Sequence, residues 1–161
     1  MIITNTIGRS CAVRGVRLFE MRHVVDHERG DLTVGEFGRD MPFIPQRYFI
    51  TFGIPSAQTR GEHAHKRCAQ FLLCVSGRCN LVVDDGFNRS EFRLDRPSLG
   101  VYVPPMVWAT EHRHTADSAL LVFASRPYEP DDYIRDYPAF RALARRMKSQ
   151  RLSNLRQTDL S

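Results

Sequence analysis

The sequence predicts an all-β sandwich or barrel that ends in a short C-terminal α-helix. Short β-rich runs recur between Cys11 and Ser125, with Gly- and Pro-containing turn signals between them. Beyond Asp131 the apolar period lengthens to that of a helix. A length of 161 residues suits one domain.

The first clear run, Tyr48–Phe52, stops at Gly53 and Pro55. Phe71–Val75 closes on Ser76-Gly77, and Leu81–Val83 leads into Asp85-Gly86. That pair is the strongest hairpin signal in the chain, because glycine accepts the positive φ of a tight turn. Val101–Val103 lies between Pro97-Ser98 and Pro104-Pro105, and Leu120–Phe123 is the last of the series. Then Phe140, Leu143, Ala144 and Met147 recur at helical spacing, with Arg141, Arg145 and Lys148 on the other face. Pro138 suits the start of this helix. About three turns are expected, followed by a frayed polar tail over Ser153–Ser161. The division is thus a β domain over 1–137 and a helix with tail over 138–161.

Composition narrows the function classes. Apolar residues make up 42% and charged residues 25%, enough for a packed core. No apolar run reaches the ~18–20 residues of a membrane span, and the opening residues lack the pattern of a signal peptide. Cys11, Cys68, Cys74 and Cys79 form no CxxC pair and read as free thiols of a reducing, cytoplasmic compartment. The net charge of +5 suits an anionic ligand. Much of the excess, however, follows residue 140 and reads as a solvated helix face. No nucleic-acid motif and no membrane segment accompany it, so neither partner is expected.

The chemistry concentrates in Arg60-Gly61-Glu62-His63-Ala64-His65-Lys66. On a strand, residues two apart share a face, so His63 and His65 project side by side. Two imidazoles of ordinary pKa near ~6.5 suit either a metal pair or a proton-transfer pair. An exposed histidine pair without function is the plain alternative.

The spacing from His63-x-His65 to Gln70 and on to Gly77 resembles the first motif of the cupin superfamily. In metal-binding cupins the position of Gln70 is a glutamate ligand, and a further histidine stands where this chain has Ala109. Two of four ligands are missing, which argues for acid–base work and against a metal. The resemblance narrows over Arg47–Tyr137. Arg60-Gly61-x-His63-Ala64-His65-Lys66, Cys74-Val75-Ser76-Gly77, Asp84-Asp85-Gly86, Gly100-Val101-Tyr102-Val103-Pro104-Pro105 and Asp131-Asp132-Tyr133-Ile134-Arg135-Asp136-Tyr137 together resemble the nucleotide-sugar 3,4-ketoisomerases, the WxcM-like family.

That resemblance implies a cupin or jelly-roll barrel acting on a dTDP-linked 4-keto-6-deoxy sugar without metal or cofactor. It implies a homodimer with exchanged N-terminal strands and a role in deoxysugar or surface-polysaccharide synthesis. His63 is implied as the base and His65 as the proton shuttle. Arg60 or Tyr48 is a candidate donor to the enediolate, and Arg60, Arg47 and Lys66 are candidates for the diphosphate. Gln70 is a candidate for the sugar or the base of the nucleotide, or a structural amide. Tyr102 and Trp108 line the nucleotide pocket or belong to the core. A 3,5-epimerase of the related deoxysugar cupins and a non-catalytic sugar-nucleotide-binding module are the alternatives. The histidine at 109 seen in several relatives bears on stereochemistry or sugar choice.

Overall fold

The computed structural model describes residues 2–3 and 7–158. Strands β1 (Ile2–Ile3), β2 (Ile7–Ser10), β3 (Arg17–Glu20), β4 (Arg22–Val25) and β5 (Leu32–Val34) open the chain. They are followed by β6 (Arg47–Phe52), β7 (Arg60–His65), β8 (Gln70–Ser76), β9 (Cys79–Asp84), β10 (Arg89–Leu94) and β11 (Leu99–Val103). After β12 (Trp108–His112) and β13 (Ala119–Ala124), a 3-10 turn at Pro130–Asp132 leads into β14 (Tyr133–Ile134) and helix α1 (Tyr137–Thr158).

Two antiparallel sheets make a jelly-roll sandwich. A six-stranded sheet ordered β2-β3-β11-β8-β13-β6 packs on a five-stranded sheet ordered β10-β9-β12-β7-β14, and β1-β4-β5 form a small third sheet. Period-two alternation sends Leu72, Cys74, Val101, Leu120 and Val122 inward from the first sheet. Leu81, Val83 and Leu94 meet them from the second. The outer face of the six-stranded sheet is partly covered by Met21, Met41 and Phe43. On edge strand β6, Tyr48, Ile50 and Phe52 point outward and stay 45–73% exposed.

Each run read as β from the sequence is a strand. The Asp85-Gly86 turn joins β9 to β10, with Gly86 at φ +89° and Asp85 Oδ1 accepting the Phe87 and Asn88 N–H groups at 2.9 and 2.8 Å. Strands such as β10 escaped notice because their outward positions are charged. Arg89-Ser-Glu-Phe-Arg-Leu exposes alternate residues and carries too few apolar ones to register as a run.

The helix is longer than its periodicity suggested. Asp136 caps it, its Oδ1 accepting the Ala139 N–H at 2.7 Å, and Pro138 sits in its first turn. Phe140, fully buried, anchors it on Trp108, Ala64 and Ile134, a burial worth about 1.5–3 kcal/mol. Instead of fraying, Ser153–Thr158 continues the helix, because this stretch has no Gly or Pro and follows good helix formers. Residues 159–161 of the expected tail lie outside the described residues.

Candidate active site

The site is built on β7, which lies between β12 and β14. The pairing of β7 with β12 slips at Ala109/Thr110, where Gly61 (φ +77°) and Glu62 (φ +53°) make a bulge. A Cβ at Gly61 would lie 2.8 Å from the Ala109 carbonyl oxygen, so only glycine fits. The bulge places the Gly61 carbonyl 2.8 Å from His63 Nδ1. A carbonyl only accepts, so that nitrogen carries the proton and Nε2 is left for chemistry. His63 stands in register with Ala109, a residue of the inter-sheet core, and therefore points into the barrel.

Two residues on, the buried His65 points the same way, and the two Nε2 atoms are 3.2 Å apart. On its other side, His65 Nδ1 meets Asp132 Oδ2 at 2.9 Å. Asp132 is itself buried and accepts the Arg67 N–H at 2.8 Å and the Cys68 N–H at 3.2 Å. The Tyr133 ring packs on both imidazoles, with centroids 4.9 and 4.4 Å away, and Arg135 lies over that ring at 4.4 Å. Tyr128 extends the aromatic wall, and the Arg47 guanidinium lies over it at 5.5 Å. Arg47 Nε is buried and has no hydrogen-bond partner among the described residues. It is a donor at the barrel mouth suited to a ligand oxygen.

Electrostatics follow from this packing. Burial lowers the His63 pKa, its hydrogen bond to Gly61 opposes, and Arg135 adds to the lowering. Burial also carries His65 down to about 4, against the pull of Asp132, with the His63 and Arg47 charges pushing the same way. Burial works against the Asp132 carboxylate, yet the hydrogen bonds from His65, Arg67 and Cys68 hold its pKa below the ordinary value.

Of the residues singled out from the sequence, His63, His65 and Arg47 come together here, and Gln70 is buried at the start of β8. Arg60 stays exposed at the start of β7, opposite Glu111. The Lys66 amine is engaged by the Asp131 carbonyl at 2.6 Å. One reading changes, and for two residues the core alternative is the one seen. Tyr48 alternates away from Arg47 and stands 68% exposed on the outer face of β6, so within this chain it is no donor to the histidines. Trp108 is buried beneath the helix against Tyr137 and Phe140, at 5.1 and 5.6 Å between centroids, so its role is core. Tyr102 lies on the outer face of the six-stranded sheet beside Phe43 and also serves packing.

Asp132, Tyr133 and Arg135 lie within a motif of the sequence that by itself assigns them no role, and Tyr128 belongs to no motif. A groove of about 530 Å³ lies elsewhere, between the hairpin at Phe87 and the helix at Met147, and holds none of these groups.

A metal does not fit the residues present. Gln70 and Ala109 replace two ligand positions of metal-binding cupins. His65 Nδ1, Cys68 Sγ and Asp132 lie within 4.8 Å of one another, but both Asp132 oxygens already accept protein N–H groups.

The FdtA family (WxcM-like, C-terminal) matches residues 14–145. A TDP-4-oxo-6-deoxy-alpha-D-glucose-3,4-oxoisomerase of Aneurinibacillus thermoaerophilus is 36% identical over 125 residues, 78% of this chain and 89% of its own. QdtA, a sugar 3,4-ketoisomerase from Thermoanaerobacterium thermosaccharolyticum solved with TDP, superposes with a TM-score of 0.79 at 31% identity. The match covers 83% of this chain and 97% of that one. WlaRB, a TDP-quinovose 3,4-ketoisomerase from Campylobacter jejuni, gives 0.76 at 32% identity over 81% and 99% of the two chains.

Proposed function

This chain belongs to the FdtA, WxcM-like family, and on that premise we propose that it is an isomerase moving the ketone of a dTDP-4-keto-6-deoxyhexose from C4 to C3. The observation that carries the reading is the inward-facing histidine pair, with Nε2 atoms 3.2 Å apart and both Nδ1 atoms anchored.

The reaction moves two protons. His63 Nε2 takes the proton from C3 while His65 gives one to O4, forming an enediol. His65 then takes the O3 proton and His63 returns its own to C4. The developing oxyanion is met by Arg47, whose buried Nε has no other partner among the described residues, with Arg135 adding positive charge. Arg60, exposed at the start of β7, suits the diphosphate. The reaction needs no redox cofactor, since oxidation at one carbon balances reduction at its neighbour.

A dimer completes the proposal. Tyr48, Ile50 and Phe52 expose an apolar strip on edge strand β6, with Val75 of the interior strand β8 also exposed, and a second copy covers it, with N-terminal strands exchanged between protomers. A nucleotide-linked substrate suits action in the cytoplasm, in deoxysugar or lipopolysaccharide synthesis. No helix of the described residues is long and apolar enough to cross a membrane.

Proton NMR of dTDP-4-keto-6-deoxyglucose with the enzyme in deuterated water tests the reading. Deuterium exchange at C3 with growth of a 3-keto product is expected. Exchange at both C3 and C5 without ketone migration would instead indicate a 3,5-epimerase, and binding without exchange would indicate a binding module.

A further inference from the structure

His63 Nδ1 faces the Gly61 carbonyl and His65 Nδ1 faces the Asp132 carboxylate, and both acceptors require a proton on the ring nitrogen. With both Nδ1 atoms protonated, two neutral rings would set two Nε2 lone pairs against each other at 3.2 Å. One additional proton between them turns that repulsion into a hydrogen bond. Moving it from Nδ1 of either ring would only shift the repulsion to Gly61 or Asp132.

We propose that Asp132 is a positioning residue that fixes the His65 tautomer and thereby keeps one shared proton between His63 and His65. The inference rests on the ketoisomerase reading and deepens it. The two-step chemistry independently demands the same count. The pair begins with one proton on His65, exchanges it for the C3 proton on His63, and ends with one on His65 again. No solvent proton is needed, and atoms balance at each step.

The groups facing the pair set the competition. Asp132 favours the shared proton, while Arg47, Arg135 and burial oppose it, and Tyr133 and Ala109 offer no charge. Sharing therefore depends on Asp132 more than it would on a hydrated surface. The carboxylate stays charged because two backbone N–H groups and the His65 Nδ1–H stabilise its anionic form.

Two measurements test this. Long-range proton–nitrogen NMR of the wild-type protein, followed through the titration of the pair, is expected to show both Nδ1 atoms protonated throughout and, in the singly protonated pair, one proton bridging the Nε2 atoms. A ring with a bare Nδ1 overturns the proposal, whatever any variant does. In Asp132→Asn, kcat is expected to fall roughly 10²-fold with KM little changed. The basic limb of its pH profile should move to lower pH, since the cationic pair loses the anion beside it. A drop in kcat with an unmoved pH profile would make Asp132 merely structural and overturn the assignment. Should the wild type bind dTDP but turn over no keto sugar, the ketoisomerase reading fails, while the ring tautomers still decide the question of the shared proton.

Discussion

Two buried carboxyl groups flank the catalytic strand and meet opposite fates. Asp132, on the β14 side of β7, is held below the ordinary carboxylate range although burial works against it. Glu111, on the β12 side, is raised by burial to about 7, with the Arg60 charge as the opposing influence. Both side chains are less than a tenth exposed, though Glu111 is packed more deeply among protein atoms. Asp132 also has the larger supply of donors: two backbone N–H groups and an imidazole converge on it. A buried acid remains charged where the backbone is folded to receive it, and neutralises where it is not. The charged one backs the histidine that moves protons.

The largest effect should come from the histidines on the Asp132 side of this comparison. His63→Asn is expected to keep dTDP-sugar binding and lose turnover by ~10²–10⁴, because an amide cannot accept the C3 proton at neutral pH. His65→Asn should retain exchange at C3 more than it retains product, since it removes the shuttle between the oxygens. Monitoring exchange and product by proton NMR separates the two. If only His65→Asn abolishes exchange, the base is His65 and the roles are reversed. In the wild type, the acid limb should lie below that of an ordinary imidazole, because burial makes His63 harder to protonate.

The Glu111 side should show itself in stability. Its pKa rises from 4.5 in the unfolded chain to about 7 in the folded one, so the native state holds a proton that the unfolded state releases. The resulting stability is fully present below pH 4.5 and is lost as pH rises through about 7. At 1.36 kcal/mol per pH unit the loss is about 3 kcal/mol. Glu111→Gln, having nothing to ionise, should remove that loss, so that urea unfolding gives a smaller difference between pH 4.5 and pH 8. Arg60→Ala should enlarge it, since Arg60 opposes the rise. An unchanged difference in Glu111→Gln would mean that Glu111 is ionised in the fold at neutral pH, and the contrast with Asp132 would collapse.

The comparison also explains what the sequence revealed. Strands β6, β8, β9, β11 and β13 were legible because their inward and outward positions are both largely apolar or closed by firm turn signals. The histidine pair was legible because a two-residue spacing survives on any strand. Its orientation needed the bulge at Gly61, whose pairing partner is 49 residues away at Thr110, and no local pattern records such a contact. Asp132 lies 67 residues from His65, and only the pairing of β14 on β7 brings it near. Tyr48 and Trp108 show the reverse. A phenol suits an enediolate and an indole suits either a nucleotide pocket or the core, but strand parity sends Tyr48 outward, and packing against Tyr137 and Phe140 in the first turn of the helix places Trp108 in the core.

The smallest expected effect is none at all. Exhaustive chelation should leave ketone migration unchanged, and the reason lies in the donor atoms. Of the usual cupin ligand set the barrel interior keeps the two histidines, while Gln70 offers a neutral amide and Ala109 offers nothing. Divalent transition metals are ordinarily held by three or more protein ligands. The nearest anion, Asp132, is committed through both oxygens to N–H donors, and a cation there would have to displace the proton that orients His65. A cation between the two Nε2 atoms would also occupy the position of the shared proton and the lone pair that takes the C3 proton. Metal binding and this acid–base chemistry therefore compete for the same atoms. Activity measured after chelation, and again with added zinc, manganese or iron(II), decides between them. Loss on chelation with recovery by one of these ions would mean that the pair is a metal ligand set, and added metal should otherwise leave the rate unchanged or inhibit.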